Sequence, residues 1–307
     1  MDTLEDLGRH IEVASEMQSV VRTMKAISAV GIRSHEAAER AMGQYLETVE
    51  MGLQVALRAL PQEAGLGAVS RSKDGAGGIG VVVIGSEIGL CGGFNERLVS
   101  FALGRLSAAG IGADRRRVLV IGTRADASWQ LSAEPPAHMQ EAPATAEALA
   151  GTVGSVLTRL DQWLAQDGVT RLMLFHQRMG GPEGSAPVEA ALFPIDPGWL
   201  AGLRARRWPS RRLPVCFGPT PAAMRSLVQQ LLFARVFSAI VQSRAAEHAE
   251  RLTAMQAAER SIGDKLDELR KTHQMLRQQV ITAELLDIIG GFEAAEKQPG
   301  DMRPSEG

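Results

Sequence analysis

The sequence predicts an α+β / α/β chain in which long helices at the two ends form a coiled coil and the middle forms a small Rossmann-like α/β domain. Apolar residues fill twelve of sixteen positions in a stripe from Leu227 to Val280, and eleven of sixteen in a stripe from Leu4 to Ala56. Both stripes average 3.5 residues per step, which is typical of helices wound around each other. Between them, candidate strands and helices alternate, which implies parallel strands with right-handed crossovers.

The N-terminal segment, residues 1–60, is predicted to be one helix of the coiled coil. Thr3 is a candidate N-cap with Asp6 three residues later, a capping box with Asp in place of Glu. Near Met17 and Val20 we expect the apolar stripe to step back by one residue, because a 3.6-residue turn drifts against a 3.5-residue repeat. Pro61 ends the helix, and the Gly- and Ser-rich residues 61–77 are predicted to be a flexible loop.

Residues 78–205 are the predicted α/β domain. The β-branched run at 79–84 is typical of a strand covered on both faces. The sequence further predicts strands at 117–121 and 171–175, helices at 95–109 and 145–166, and a loop at 180–187.

A basic linker at 206–218 is predicted to lead into the C-terminal coiled-coil helix at 219–291. Proline is tolerated in the first turn of a helix, and Pro219 and Pro221 lie where this one starts. We expect Gly290 and Gly291 to end the helix and the polar tail at 292–307 to be disordered. Arginines cluster around the linker at Arg204, Arg206, Arg207, Arg211 and Arg212. This cluster suits a polyanionic or acidic partner, or a solvated linker, equally well.

Composition narrows the class of protein. Of the 307 residues 45% are hydrophobic and 22% charged, and the net charge of −2 gives no general attraction for nucleic acid or anionic lipid. Two cysteines, Cys91 and Cys216, cannot form a disulfide framework or a zinc site by themselves, so we expect a reduced, cytoplasmic setting. The N-terminus is acidic and has no apolar segment, so we expect no signal peptide. The sequence contains no run of about 18 apolar residues, so we also expect no membrane-spanning helix. Any membrane role is therefore expected to be peripheral.

The glycine-rich turn from Gly85 to Asn95 follows a predicted strand and precedes a predicted helix, where a phosphate loop would lie. It has neither the Gly-Lys-Ser/Thr end of a P-loop nor the spacing of a dinucleotide site. We therefore predict a tight turn in which Asn95 caps the next helix. His248, Glu259 and His273 interrupt the C-terminal stripe and are expected to set register or contacts. The sequence thus predicts no catalytic, cofactor-binding or metal-binding residues.

Three regions of the chain resemble the gamma subunit of F-type rotary ATP synthases. Arg22–Ala29 (RTMKAISA) followed by Arg33 is similar to the family's TKAMxMVAASKMR stretch, and Gly89–Asn95 (GLCGGFN) to its GLCGGLN turn. Near the C-terminus, 246–255 (AEHAERLTAM) and 277–284 (RQQVITAE) resemble SEHAARMxAM and RQxxITxE. The sequence departs from the family pattern at Gly31, at 259–261 and at 273–274. These departures suggest a divergent branch, such as the sodium-linked N-ATPase type.

The resemblance implies a non-catalytic central rotor stalk without cofactors, whose terminal helices wind antiparallel into a left-handed coiled coil. It implies as partners the alpha and beta subunits (the alpha3beta3 hexamer), the epsilon subunit and the membrane c-ring, at the cytoplasmic face of the inner membrane. The implied contacts with the alpha/beta head are Met24, Lys25, Arg277, Gln278, Thr282 and Glu284. Lys25 lies on the coiled-coil stripe, so we expect its ammonium group to reach out toward a beta subunit. The arginine cluster is the implied contact with the c-ring and epsilon.

Two other functions stay open from the sequence. One is a nucleotide-binding α/β enzyme with coiled-coil arms, against which the missing phosphate loop counts; nucleotide titration of the chain would reveal it. The other is a coiled-coil adaptor that is not part of a motor. Co-purification separates the adaptor from the rotor, because a rotor should bring alpha and beta subunits in threefold excess. The coupling ion, the working direction and the mode of regulation do not follow from the sequence.

Overall fold

A computed structural model describes residues 3–59, 77–143, 145–180, 184–212, 214 and 220–296. Its helices are α1 (Leu4–Ala59), α2 (Phe94–Ala108), α3 (Thr123–Gln130), α4 (Ala146–Gln166), α5 (Pro197–Ala205) and α6 (Thr220–Glu296). Its strands are β1 (Gly78–Ile84), β2 (Arg116–Ile121), β3 (His138–Gln140), β4 (Val169–Met179) and β5 (Ser185–Phe193). The chain divides into two compact units, Lys25–Ala254 (the sheet unit) and Met1–Met24 with Met255–Gly307 (the helical unit).

The sheet unit contains one five-stranded sheet in the order β3-β2-β1-β4-β5. The first four strands are parallel, as the alternation of strands and helices predicts, and β5 pairs antiparallel with β4. The prediction of a loop at 180–187 is wrong at its end, because β5 begins at Ser185. β5 contains Pro187 and Glu189 and is only half-buried along most of its length, so its residues give no clear strand pattern.

Both faces of the sheet are covered, which confirms the prediction for the run in β1. Side chains on one face pack against α2 and α3, and those on the other pack against α4 and α6. Val81 and Val83 belong to the first core, whereas Val82 and Ile84 belong to the second. All four are buried, so β1 is the centre of the unit.

Within the sheet unit, α1 and α6 pack side by side in antiparallel directions. His35 faces His248 with ring centroids 5.3 Å apart, and Gln242 Nε2 donates to Glu39 Oε1 at 2.7 Å. Further along α1, Gly52 lies against Leu227. Partner numbers on α6 fall as those on α1 rise, which is the antiparallel register implied by the family resemblance.

One glycine of α1 is required by this packing and another is not. A Cβ atom added to Gly31 would lie 2.6 Å from His248 Nε2, while one added to Gly43 would meet nothing within 4 Å. We expect Gly31→Ala to destabilise the chain by about 1–3 kcal/mol through overpacking. Gly43→Ala should stabilise it by up to about 1 kcal/mol, because Ala favours the helix. Chemical unfolding of both variants checks this, and equal effects would contradict it.

The helical unit contains the start of α1 and the second half of α6, again antiparallel. Arg22 Nε contacts Glu259 Oε1 at 3.1 Å, and Gly263 lies beside the Gln18 side chain. The predicted step of the stripe near Met17 is wrong, because Met17 is 56% and Val20 58% exposed. Val21, on the uninterrupted 3.5-residue spacing, is buried instead. Packing against α6 therefore keeps one register along this part of α1.

The start of α1 and the end of α6 differ in how well the sequence predicts them. Thr3 Oγ1 donates to Asp6 Oδ2 at 2.7 Å and accepts from the Asp6 backbone N–H, which confirms the capping box. These bonds from Thr3 lower the pKa of Asp6. The predicted end at Gly290 is wrong, because α6 continues to Glu296. The disordered tail predicted at 292–307 is wrong for its first five residues, which belong to α6, and residues 297–307 lie outside the described residues. The predicted loop at 61–77 also lies outside them, Gly77 excepted.

α6 also meets a simple length and hydropathy criterion for a membrane-spanning helix. Its most apolar window of 18 residues has a mean hydropathy of 1.2, and 39% of that window is buried inside the protein. The sequence analysis predicts no membrane span, so this helix differs from that prediction by length and composition only. Core helices of soluble proteins pass the same test, and Leu231, Val236 and Ile240 of α6 are buried in the cores of the sheet unit.

Candidate functional site at the glycine turn

The glycine turn follows β1 and is closed by the side chain of Asn95. Asn95 Oδ1 accepts from the Ser86 backbone N–H at 3.0 Å, and Asn95 Nδ2 donates to Ser86 Oγ at 2.8 Å. The prediction that Asn95 caps α2 is therefore wrong, because the N-cap position is Gly93 and makes no side-chain cap bond. Instead, the Asn95 side-chain amide joins the end of the turn to Ser86 at its start. Leu90 has a φ of 64°, a conformation that is uncommon outside glycine.

A group of three buried charged residues on α6 connects the helix to this turn through one of its arginines. Glu247, with no exposed surface, accepts from Arg244 at 2.6 Å and from Arg251 at 2.5 Å. Arg251 also donates to the backbone carbonyls of Ile88 at 2.7 Å and Gly89 at 3.2 Å. We call Arg244, Glu247 and Arg251 the buried triad. Its members lie three and four residues apart, the spacing at which helical side chains meet.

Titratable side chains beside the triad are held in uncharged forms. Burial, reinforced by the charge of Arg244, lowers the pKa of His248 to about 3. Burial also raises the pKa of the Cys91 thiol, which contacts Ser86 Oγ. A thiol of raised pKa is a poor nucleophile. The surroundings of the turn therefore favour a structural role over acid-base or nucleophilic chemistry.

The carboxyl ends of the parallel strands, where α/β proteins hold nucleotides, are occupied by the protein's own groups. The Glu87 carboxylate accepts the backbone N–H of Thr123 at 3.2 Å and that of Ala142 at 2.9 Å. Ser243 of α6 donates to the Ile84 carbonyl at 2.7 Å. Two backbone N–H groups at these strand ends, those of Thr123 and Ala142, thus have a carboxylate partner and are not available to a phosphate.

The residues predicted to contact the alpha/beta head lie on α1 and α6. Met24 and Lys25 are half-buried on α1. Arg277, Gln278, Thr282 and Glu284 are exposed on α6, as is every residue from Arg277 to Phe292. Thr282 Oγ1 donates to the Gln278 carbonyl at 2.8 Å, so these two residues lie on one face of the helix.

The arginine cluster is partly bound to α1. Arg206 Nη1 contacts Glu50 at 2.9 Å, and its carbonyl accepts from Arg58 at 2.6 Å. The following segment is pinned by Ser210, which accepts from Trp208 Nε1 and donates to the Arg212 carbonyl. Arg207, Arg211 and Arg212 are exposed, and Arg204 at the end of α5 is half-buried. Arg206 therefore has a structural contact, while Arg207, Arg211 and Arg212 present charge to solvent.

Sequence reasoning missed the buried triad. Glu247 and Arg251 fall within the stretch that carries the family resemblance, yet no role follows from the sequence alone. The available signal was the Arg-x-x-Glu-x-x-x-Arg spacing on a helix that is otherwise apolar on that side. The turn that Arg251 binds is about 160 residues away in sequence, and no local pattern links the two.

A small α/β domain and long helices that pack antiparallel within each unit define the class of protein. A family profile described as ATP synthase matches residues 3–295, so the chain belongs to that family. Curated relatives named ATP synthase gamma chain include those of Nostoc punctiforme, 25% identical, and Cyanothece sp., 27% identical. Each match covers 96% of this chain and 99% of the relative.

Solved structures show the same fold. A chain of the Euglena gracilis mitochondrial ATP synthase, from a structure titled OSCP/F1/c-ring, matches with a TM-score of 0.61 at 16% identity. The match covers 99% of both chains. A chain from the Tetrahymena thermophila mitochondrial ATP synthase central stalk and c-ring matches with a TM-score of 0.55 at 15% identity and covers 78% of this chain. These structures share the fold, and the family profile over residues 3–295 confirms the family resemblance drawn from the sequence.

Proposed function

We propose that this chain is the central rotor-stalk subunit, of gamma type, in an F-type ATP synthase or ion-translocating ATPase. The observation that carries the proposal is the match to the family along residues 3–295 by a chain with an antiparallel helix pair. In this role the chain couples rotation of a membrane c-ring to the catalytic sites of an alpha3beta3 hexamer. The catalytic chemistry belongs to the beta subunits.

The exposed end of α6 supports contact with the head. Its large apolar side chains from Val280 onward are exposed: Val280, Ile281, Leu285, Leu286, Ile288, Ile289 and Phe292. A contiguous exposed apolar surface of this kind marks an interaction site. We assign it to the bore of the hexamer, together with Arg277, Gln278, Thr282 and Glu284.

Rotation works through asymmetry. A single stalk inside three equivalent catalytic sites presents a different surface to each, and each site is held in the state that this surface favours. The stalk can shift those states only through contacts that differ between them. Met24 and Lys25 on α1 are proposed to contact a beta subunit, with the Lys25 ammonium group directed toward it.

The buried triad supports transmission of torque within the sheet unit. Arg251 joins α6 to the backbone of the glycine turn through charge-assisted bonds, which are stronger than neutral ones. Together with the apolar cores, these bonds make α6 part of the sheet unit rather than a helix lying loosely on it. The sheet unit, bound to α6 in this way, would rotate together with the helix.

The exposed arginines are proposed to face the c-ring and the epsilon subunit. We expect the double substitution Arg207→Glu and Arg211→Glu to lower ion pumping per ATP hydrolysed at least about twofold, because like charges then meet at the interface. ATP-driven pumping in inverted membrane vesicles measures this. Arg159→Glu with Arg171→Glu reverses the same number of charges on α4 and β4 and serves as the control. Equal coupling in both double variants would contradict the assignment.

Isolation of the intact complex tests the proposed function directly. A rotor stalk should co-purify with alpha and beta subunits in threefold excess, at the membrane periphery, and we propose the cytoplasmic face. Recovery with a helical partner but without those subunits would support the adaptor instead. Assaying ATP hydrolysis with and without sodium then identifies the coupling ion: stimulation by sodium indicates a sodium-linked complex, and its absence a proton-linked one. Sodium-ligand carboxylates in the partner c-subunit would then support the N-ATPase branch.

A further inference from the structure

The sheet unit contains a cavity of about 400 Å³ away from the glycine turn. β4 and β5 form one wall, α6 forms another, and α5 and one residue of α1 complete it. Apolar groups dominate the lining, among them Leu46, Leu174 and Leu192. The polar lining residues are His176, Asp196, Arg235, Ser238 and Gln242.

The cavity contains one cation without an anionic partner. Arg235 stacks on Trp199, with its guanidinium carbon 4.9 Å from the ring centroid. Among the described residues no hydrogen bond or ion pair reaches this guanidinium, and Glu50, whose charge acts on it, is bound to Arg206 at 2.9 Å. Burial lowers the pKa of Arg235. A desolvated charge is costly when unpaired, so an anion in the cavity would relieve that cost.

The cavity also contains a buried hydrogen-bond acceptor. His176 is 4% exposed, and its Nε2 lies 2.9 Å from Gln242 Oε1. Because Gln242 Nε2 donates to Glu39, the Gln242 oxygen must accept, which places the His176 proton on Nε2. Nδ1 is then a bare lone pair, and it has no partner in the part of the chain that the structure describes. Burial lowers the pKa of His176, which keeps the ring neutral.

We propose that this cavity binds a small organic carboxylate that has an apolar body and a hydroxyl group. Its carboxylate pairs with Arg235, its body lies along Leu174 and Leu192, and its hydroxyl donates to His176 Nδ1. The Asp196 carboxylate also lines the cavity, and its two oxygens accept the backbone N–H groups of Gly198 at 3.0 Å and Trp199 at 3.1 Å. It therefore has no need of a ligand, and its negative charge favours a ligand with a single carboxylate. A ligand with a second carboxylate would be repelled.

The test uses 4-hydroxybenzoate as the probe and the complete chain, alone and within its purified complex. The indole N–H signal of Trp199, assigned with Trp199→Phe, reports binding. We expect saturation with a Kd in the range of about 0.1–1 mM. The neutral amide 4-hydroxybenzamide should bind at least about tenfold more weakly, and benzoate, which lacks the hydroxyl, should also bind more weakly.

Variants separate this site from unspecific association. Arg235→Gln should weaken the probe at least about tenfold, whereas Arg225→Gln, an exposed position on the same helix, should leave its affinity unchanged. Ala190→Leu narrows the cavity from β5 without touching Arg235 and should abolish binding even if Arg235→Gln fails to fold. The proposal is overturned if the probe does not saturate, if the amide binds equally well, or if Ala190→Leu binds with unchanged affinity.

Discussion

Replacing Glu247 by Gln is expected to lower the free energy of unfolding by about 3–5 kcal/mol. Glu247 has no exposed surface, and its carboxylate forms ion pairs with both Arg244 and Arg251, which are themselves buried. An amide of the same shape fills the space but has no charge. The cost is therefore that of leaving two buried guanidinium groups without their ion-pair partner, which exceeds the loss of a neutral contact.

Part of this cost falls on the glycine turn. Arg251 holds the carbonyls of Ile88 and Gly89 while Glu247 orients its guanidinium. Without Glu247 the Arg251 side chain has no anchor on its own helix, and the link between α6 and the turn loosens. We expect hydrogen exchange at the amides after Ile84 to speed up more than exchange in β4.

Urea unfolding of the full-length chain, followed by circular dichroism, measures the effect. Glu189→Gln is the control, because it removes an ion pair to Arg105 whose partners are 25% and 56% exposed in the same unit. Partly exposed pairs contribute about 0–1 kcal/mol, so this variant should remain close to the unmodified chain. Similar losses in both variants would show that the buried triad has no special role.

The elements that the sequence predicts well are those whose own residues determine them. The run at 79–84 is apolar on both faces and forms the central strand, and Thr3 with Asp6 forms a cap whose two partners are three residues apart. The stripes on α1 and α6 predict pairing because each repeats over many turns. In these cases local pattern and tertiary environment agree.

The features that sequence reasoning missed depend on distant partners. β3 has only three residues, and β5 contains a proline. Both strands are stabilised by pairing with a neighbouring strand, and this pairing cannot be recognised from their own residues. Gly31 looks like a defect in a helix until His248 is found packed against it. The roles of Arg235 and His176 likewise arise from a cavity assembled by four separate elements and one residue of α1.

The exposed end of α6 allows a test of the rotor proposal that leaves folding intact. Ile281 and Ile288 are 45% and 56% exposed, and every residue from Arg277 to Phe292 is exposed within the chain. The double substitution Ile281→Asp and Ile288→Asp should therefore change the stability of the isolated chain by less than about 1 kcal/mol. The apolar surface that it removes is needed only by a partner.

Association with an alpha/beta head should respond far more strongly. Burying two isoleucines contributes about 4 kcal/mol, and burying unpaired carboxylates in their place adds a further penalty. We expect affinity for the hexamer to fall at least about 100-fold, since each 1.4 kcal/mol is a factor of ten. Surface plasmon resonance with immobilised full-length chain and purified alpha/beta hexamer measures this change.

Gln274→Asp with Gln279→Asp adds the same charge at exposed polar positions of α6 and isolates the apolar contribution. If the apolar side chains line the bore, this control should retain most of the affinity. Equal losses in the two double variants would mean that added charge alone disrupts the contact, through long-range repulsion. Undiminished affinity in the isoleucine variant would remove this part of α6 from the interface, because carboxylates at two buried contacts cannot be accommodated without cost.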